Sequence, residues 1–180
     1  HYFTGQVWAT KKGLLRILLK KMDRLTSIFS TNIFIDSKSQ KKYLIKNRIV
    51  NNNSIVIGDG SICGVDLSRF SPSLKIKNNL RKKLEIGQNF TLFLFMGRVN
   101  KEKGIVELVK AFEKLLKTNN YIYLLIIGPD EGDLQKYIEH TLGKYKKNFK
   151  YLKTTLEPEK YFQAADVLCI PSYREGFGNV

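Results

Sequence analysis

Two apolar runs that each end on glycine, FTLFLFMG at residues 90–97 and YIYLLIIG at residues 121–128, restrict this chain more than any other feature. Neither alternates polar with apolar positions, so neither suits a strand with one face in water; both predict strands covered on both faces. Between them, KGIVELVKAFEKLLKT (residues 103–118) sets Ile105, Leu108, Val109, Phe112 and either Leu115 or Leu116 at helical spacing. Helical residues follow from about Asp130 to Lys146, then a short strand near Phe149–Leu152, a helix near Pro158–Ala165, and a third apolar strand, DVLCIP, at residues 166–171. Strand and helix in alternation predict an α/β fold with a parallel sheet and right-handed crossovers. Ligands of such sheets sit at the carboxyl ends of the strands, where Gly97, Gly128 and the loop opening at Pro171 fall.

The front of the chain reads as α/β too. A strand over Asn32–Asp36, a helix capped by Ser37 or Ser39, and a second strand in SIVIGDGS end in a glycine turn. From Ser71 to Gln88 the periodicity weakens, which places a boundary there: one unit over residues 1–72, a connector over 73–88 and a second unit over 89–180.

Hydrophobic residues make up 43% of the chain, enough to bury a core and to exclude disorder. Thirty-one Lys and Arg against 16 Asp and Glu give a formal net charge of +15, which points to an anionic partner. Cys63 and Cys169 lack metal-ligand spacing and predict two buried, reduced thiols in a cytoplasmic protein, with no metal site. No apolar run approaches the ~18 residues that span a bilayer. A chain that starts on His1 and stops inside PSYREGFGNV is expected to be an internal piece of a longer protein.

Two stretches carry candidate chemistry. In GRVNKEKGIVELV, Arg98 follows a strand and Lys103 precedes a helix, so both cations can reach the helix N-terminus, where free N–H groups favour an anion such as a diphosphate. Solvated loop charges are the competing reading, and neither a Walker A loop nor GxGxxG is present. Glu175, just before Gly176 and Gly178, suits hydrogen bonding to sugar hydroxyls beside a closely approaching backbone; an ordinary turn is the alternative.

The helix in TKKGLLRILLKKMDRLTSIF places Leu14, Leu15, Leu18, Met22, Leu25 and Ile28 or Phe29 along one side, and Lys11, Lys12, Arg16, Lys20, Lys21 and Arg24 around the rest. It predicts either a core-facing helix with a solvated basic face or a contact with an anionic membrane surface.

In order, GRVNKEKG, IIGPDEGDL and AADVLCIPSYREGFGNV resemble the donor-binding domain of retaining GT-B glycosyltransferases of family 4. HYFTGQVWATKKG, IFIDSKSQ and GDGSICGVDLSRFSP resemble the second half of that family's acceptor-side domain, in the look of bacterial enzymes that extend lipid-linked glycans, capsules or O-antigens, including N-acetylgalactosaminyltransferases. The resemblance implies parts of two Rossmann-like domains facing a cleft: the C-terminal half of the acceptor domain and the N-terminal half of the donor domain. It further implies that Arg98 and Lys103 hold the diphosphate, that Glu175 is the first of a pair of signature glutamates, and that His1 faces the transferred sugar. Gly97, Gly128, Gly176, Phe177, Gly178 and Asn179 would line the donor site.

The implied reaction moves a hexose or N-acetylhexosamine from a nucleotide-diphosphate sugar, with UDP the expected nucleotide, to an undecaprenyl-diphosphate-type acceptor. No metal or other cofactor and no nucleic acid are expected, the location is cytoplasmic and peripheral at the inner face of the cell membrane, and the 180 residues alone are expected not to transfer sugar. A GT-B sugar-nucleotide epimerase and a non-catalytic basic nucleic-acid-binding domain are the rivals. The first needs acid and base groups not found here, and the second needs cations and aromatics on one face.

Overall fold

The computed structural model describes residues 1–61 and 63–175. They form two compact units: His1–Gly64 with Arg174 and Glu175, and Val65–Tyr173. Glu175, expected in the second unit, is thus grouped with the first.

In the first unit, β1 (Tyr2–Phe3) is followed by α1 (Gly13–Ile28), β2 (Phe34–Ile35) and α2 (Lys38–Lys46). The two strands pair in parallel, and SIVIGDGS, expected as a strand, narrows to a single bridge between Phe34 and Ile55. Ser37 caps α2 by accepting a hydrogen bond from the amide of Gln40, as one of the two expected serines should. The core gathers Phe3, Trp8, Ile35, Leu44, Ile49 and Val50.

The second unit holds α3 (Leu74–Lys83), β3 (Thr91–Met96), α4 (Ile105–Leu116), β4 (Ile122–Ile127), α5 (Gln135–Leu142), β5 (Phe149–Leu152), α6 (Pro158–Ala164) and β6 (Val167–Leu168). The strands lie in the order β5-β4-β3-β6 and every pairing is parallel. All six residues of β4 are buried, as the continuous apolar run predicts. Ile122, Leu124 and Ile126 pack with Ile105, Val109, Phe112 and Leu116 of α4 and Ile138 and Leu142 of α5. Tyr123, Leu125 and Ile127 pack on the other face with Leu80 of α3, Leu84, Ile86 and Ala164 of α6. Helices therefore cover both faces.

Residues 73–88 are not a connector. Ser73 caps α3, whose Leu80 is followed by Leu84 and Ile86 in the core of the sheet, and the first unit ends at Gly64. Five lysines and arginines among the residues of α3 hid the apolar stripe. One of them, Arg81, is only 2% exposed. Its guanidinium donates to the carbonyls of Ala164 (3.1 Å) and Phe90 (3.0 Å) and pairs with Asp166, which also accepts from the amide of Leu92 and pairs with Lys77 at 2.7 Å. This network joins α3, the start of β3 and the start of β6 at the amino edge of the sheet. Burial raises the Asp166 carboxyl, but the Leu92 amide, Lys77 and Arg81 outweigh it and hold it below its ordinary range.

The cysteines correct another expectation. Cys63 is exposed, in the turn after Ser61; Cys169 is half-buried, and burial pushes its thiol up.

Candidate functional site

The strand order sets where a ligand can enter the second unit. From β3 the chain crosses by α4 to β4 on one side, and later returns by α6 to β6 on the other side of β3. The strand order thus reverses beside β3, and the carboxyl ends of β3 and β6 lie next to each other at the point of reversal, where ligands of such sheets sit.

The loop after β3 is built on close backbone contact. Gly97 has φ +155° and Gly128 φ +149°, and a Cβ on Gly128 would stand 1.8 Å from the carbonyl oxygen of Gly97. Their amides stay in the sheet, Gly97 donating to Ile127 and Gly128 to Leu152, while the Tyr151 hydroxyl donates to the Gly128 carbonyl. Packing thus accounts for glycine at Gly128. Beyond Gly97, buried Val99 donates to the carbonyl of Pro129 at 2.8 Å and accepts from the amide of Glu131 at 3.1 Å, which ties the loop to its neighbour.

That anchoring positions the cations. Arg98, on the exposed side of Val99, donates to Glu131 at 3.1 Å, and the Asn100 side-chain amide meets the same carboxylate oxygen at 3.4 Å. Asn100 also accepts from the Lys103 amide at 3.0 Å, closing a single 3-10 turn over Lys101–Lys103. Half-buried Lys103 is followed by Gly104, in the left-handed region at φ +68°, and α4 begins with no side-chain cap. The helix after β4 differs. Burial raises the Asp130 carboxyl, but the amides of Leu134, Gln135 and Gly132 donate to it and hold it below its ordinary range, so its side chain occupies that loop's N–H groups. Asp130 thus takes the first amides of α5, whereas no side chain caps α4.

The loop after β6 closes on this turn. Tyr173 donates its amide to the Glu102 carbonyl at 3.0 Å and its hydroxyl to Glu107, in the first turn of α4, at 2.8 Å. The phenol holds the Glu107 carboxyl below its usual range, and the same bond pushes the Tyr173 hydroxyl up. Glu131, Glu107 and Tyr173 were not legible in the sequence, since each pairs with a partner distant in it.

Glu175 is exposed, two residues past Tyr173. Gly176, Phe177, Gly178 and Asn179 lie outside the described residues. His1 immediately precedes β1, and its ring meets that of Phe3 edge-on at 4.5 Å. A residue two before another on a strand shares its face, which accounts for the contact. Among the described residues no group of three metal-ligating side chains gathers, and no helix is long and apolar enough to cross a membrane.

Helix α1 buries none of its residues. Leu14 is 85% and Phe29 84% exposed, and Leu15, Leu18, Met22, Leu25 and Ile28 are exposed with them. Among the described residues nothing packs over this stripe. The helix docks instead through Leu19, through Asp23, which accepts from the Trp8 indole at 2.7 Å, and through Arg16 and Lys20 over the Trp8 ring.

Together these features define an α/β protein with a doubly covered parallel sheet and a cation-bearing loop before an uncapped helix. Residues 76–180, more than half the chain, match the family of glycosyl transferases group 1, and the chain belongs to that family. It is 30% identical over 178 residues to the capsular polysaccharide biosynthesis glycosyltransferase CapM of Staphylococcus aureus, covering 95% of this chain and 45% of that protein. An Escherichia coli UDP-Gal:α-D-GlcNAc-diphosphoundecaprenol α-1,3-galactosyltransferase is 24% identical over 172 residues, which are 93% of this chain and 43% of its own. The solved structure of Anabaena HepE in complex with UDP superposes with a TM-score of 0.78 at 16% identity, covering 99% of this chain and 48% of that one. The chain thus spans about half the length of these relatives, and its fold is that of GT-B glycosyltransferases.

Proposed function

We propose that this chain forms part of a retaining family 4 glycosyltransferase that moves a hexose or N-acetylhexosamine from a UDP-sugar to a lipid-diphosphate-linked acceptor in cell-surface glycan synthesis. The observation that carries the donor reading is the junction at the carboxyl ends of β3 and β6, where the Arg98–Lys103 turn, the uncapped start of α4 and the Pro171–Tyr173 loop meet. Arg98, Lys103 and the amides of the first turn of α4 would hold the diphosphate. Negative charge grows on that group as the glycosidic bond breaks, so these donors favour the transition state over the bound sugar nucleotide. Glu175 would position the sugar through its hydroxyls. The UDP of the HepE complex and the diphosphoundecaprenol acceptor of the E. coli relative support the choice of nucleotide and acceptor.

A lipid acceptor requires access to a membrane, and α1 offers an exposed apolar stripe with Lys12, Lys21 and Arg24 exposed around it. Cations near an anionic surface contribute about 1 kcal/mol each, and exposed leucines can enter the headgroup boundary. We assign the protein to the inner face of the cell membrane on this basis. The test is transfer by the complete enzyme from a panel of UDP-, GDP- and dTDP-sugars to an undecaprenyl-diphosphate-linked acceptor. Turnover with a UDP-sugar is expected, and turnover confined to another nucleotide, or none with any, overturns the reading.

A further inference from the structure

We propose that Tyr173 is a positioning residue of the transfer site, a clamp that holds the loop after β6 against the first turn of α4 and so fixes the backbone from which Glu175 projects two residues on. This rests on the donor-site reading above. Three contacts within the second unit make the clamp: the Tyr173 amide on the Glu102 carbonyl, the Tyr173 hydroxyl on the Glu107 carboxylate, and the Pro171 carbonyl seated over Gly104. The Tyr173 side chain is exposed, so burial does not hold it there; its hydroxyl instead reaches a residue 66 positions away in sequence. A hydrogen bond to an ionised acceptor is stronger than one between neutral groups, and here it links the first turn of α4 to the loop leading to the glutamate. Misplacement of a reacting group by about 1 Å can cost on the order of a hundredfold in rate, so a tether at this point acts on turnover and not on affinity for the nucleotide.

The clamp makes Tyr173 and Glu107 one unit. In the complete enzyme, Tyr173→Phe and Glu107→Ala should each lower kcat about tenfold while the KM for the UDP-sugar and the Kd for UDP stay within about twofold. The double variant should fall no further than either single one, and Glu107→Gln, which keeps an acceptor oxygen, should recover most of the loss. Without any nucleotide, exchange of the Tyr173 amide should quicken about tenfold in Tyr173→Phe, because the loop opens more often. Unchanged amide exchange, or losses that multiply in the double variant, would overturn the clamp. If the wild-type enzyme binds no UDP, the donor-site reading fails, and the exchange experiment still decides whether Tyr173 holds the loop.

Discussion

A Cβ placed on Gly104 would stand 2.2 Å from the carbonyl oxygen of Pro171, so the start of α4 and the loop after β6 can pack as they do only with glycine there. Gly104 also holds φ +68°, where side chains are strained. Gly104→Ala should therefore distort the backbone at the start of α4 itself and weaken UDP binding at least tenfold, read by calorimetry, while the rest of the sheet stays folded. Unaltered affinity would mean that the backbone at the start of α4 does not shape the donor site.

Gly128 should fail differently, because its contact lies inside the sheet. Overpacking against the Gly97 carbonyl and a φ of +149° together predict a cost of about 3 kcal/mol for Gly128→Ala. Thermal unfolding should report this with UDP absent.

Replacing the cations tests the chemistry. Arg98→Ala and Lys103→Ala should lower kcat more than they raise the donor KM, since charge on the leaving diphosphate is greatest in the transition state. A change confined to KM would show that they only hold the ground state.

Asp166 predicts an acid limb of stability. Its folded-state carboxyl lies below its ordinary range, so its contribution is present above the unfolded value, about 3.9, and is lost as the pH falls through the lower folded value. Asp166→Asn leaves buried Arg81 without its carboxylate and should cost about 3 kcal/mol at neutral pH. The difference from wild type should shrink in denaturant titrations run below about pH 4.

The membrane reading turns on α1. Lys20 is occupied by Trp8 and by Asn47, so the informative reversal is Lys12, Lys21 and Arg24 to Glu. Flotation with vesicles containing anionic lipid should drop in low salt, with UDP binding spared. Undiminished flotation would remove the helix from the membrane account.

These residues also show what the sequence could convey. β3, β4 and α4 were legible because a doubly covered strand must be apolar throughout and a one-sided helix must repeat at about 3.6 residues. α3 was not, because its core positions Leu80 and Leu84 are separated by Arg81, Lys82 and Lys83, and a buried arginine looks like a surface one until Ala164, Phe90 and Asp166 surround it. Arg98 and Lys103 were visible as a spacing, whereas Glu131 and Tyr173 depend on pairings across 33 and 66 positions that no local pattern encodes.

The central claim is that the carboxyl edge between β3 and β6 holds a nucleotide diphosphate, and a crystal structure of the complete enzyme with UDP tests it most directly. The account predicts the diphosphate within hydrogen-bonding distance of Arg98, of Lys103 and of amides in the first turn of α4. A diphosphate bound elsewhere, with the Arg98–Lys103 loop empty and Arg98 still on Glu131, would contradict it.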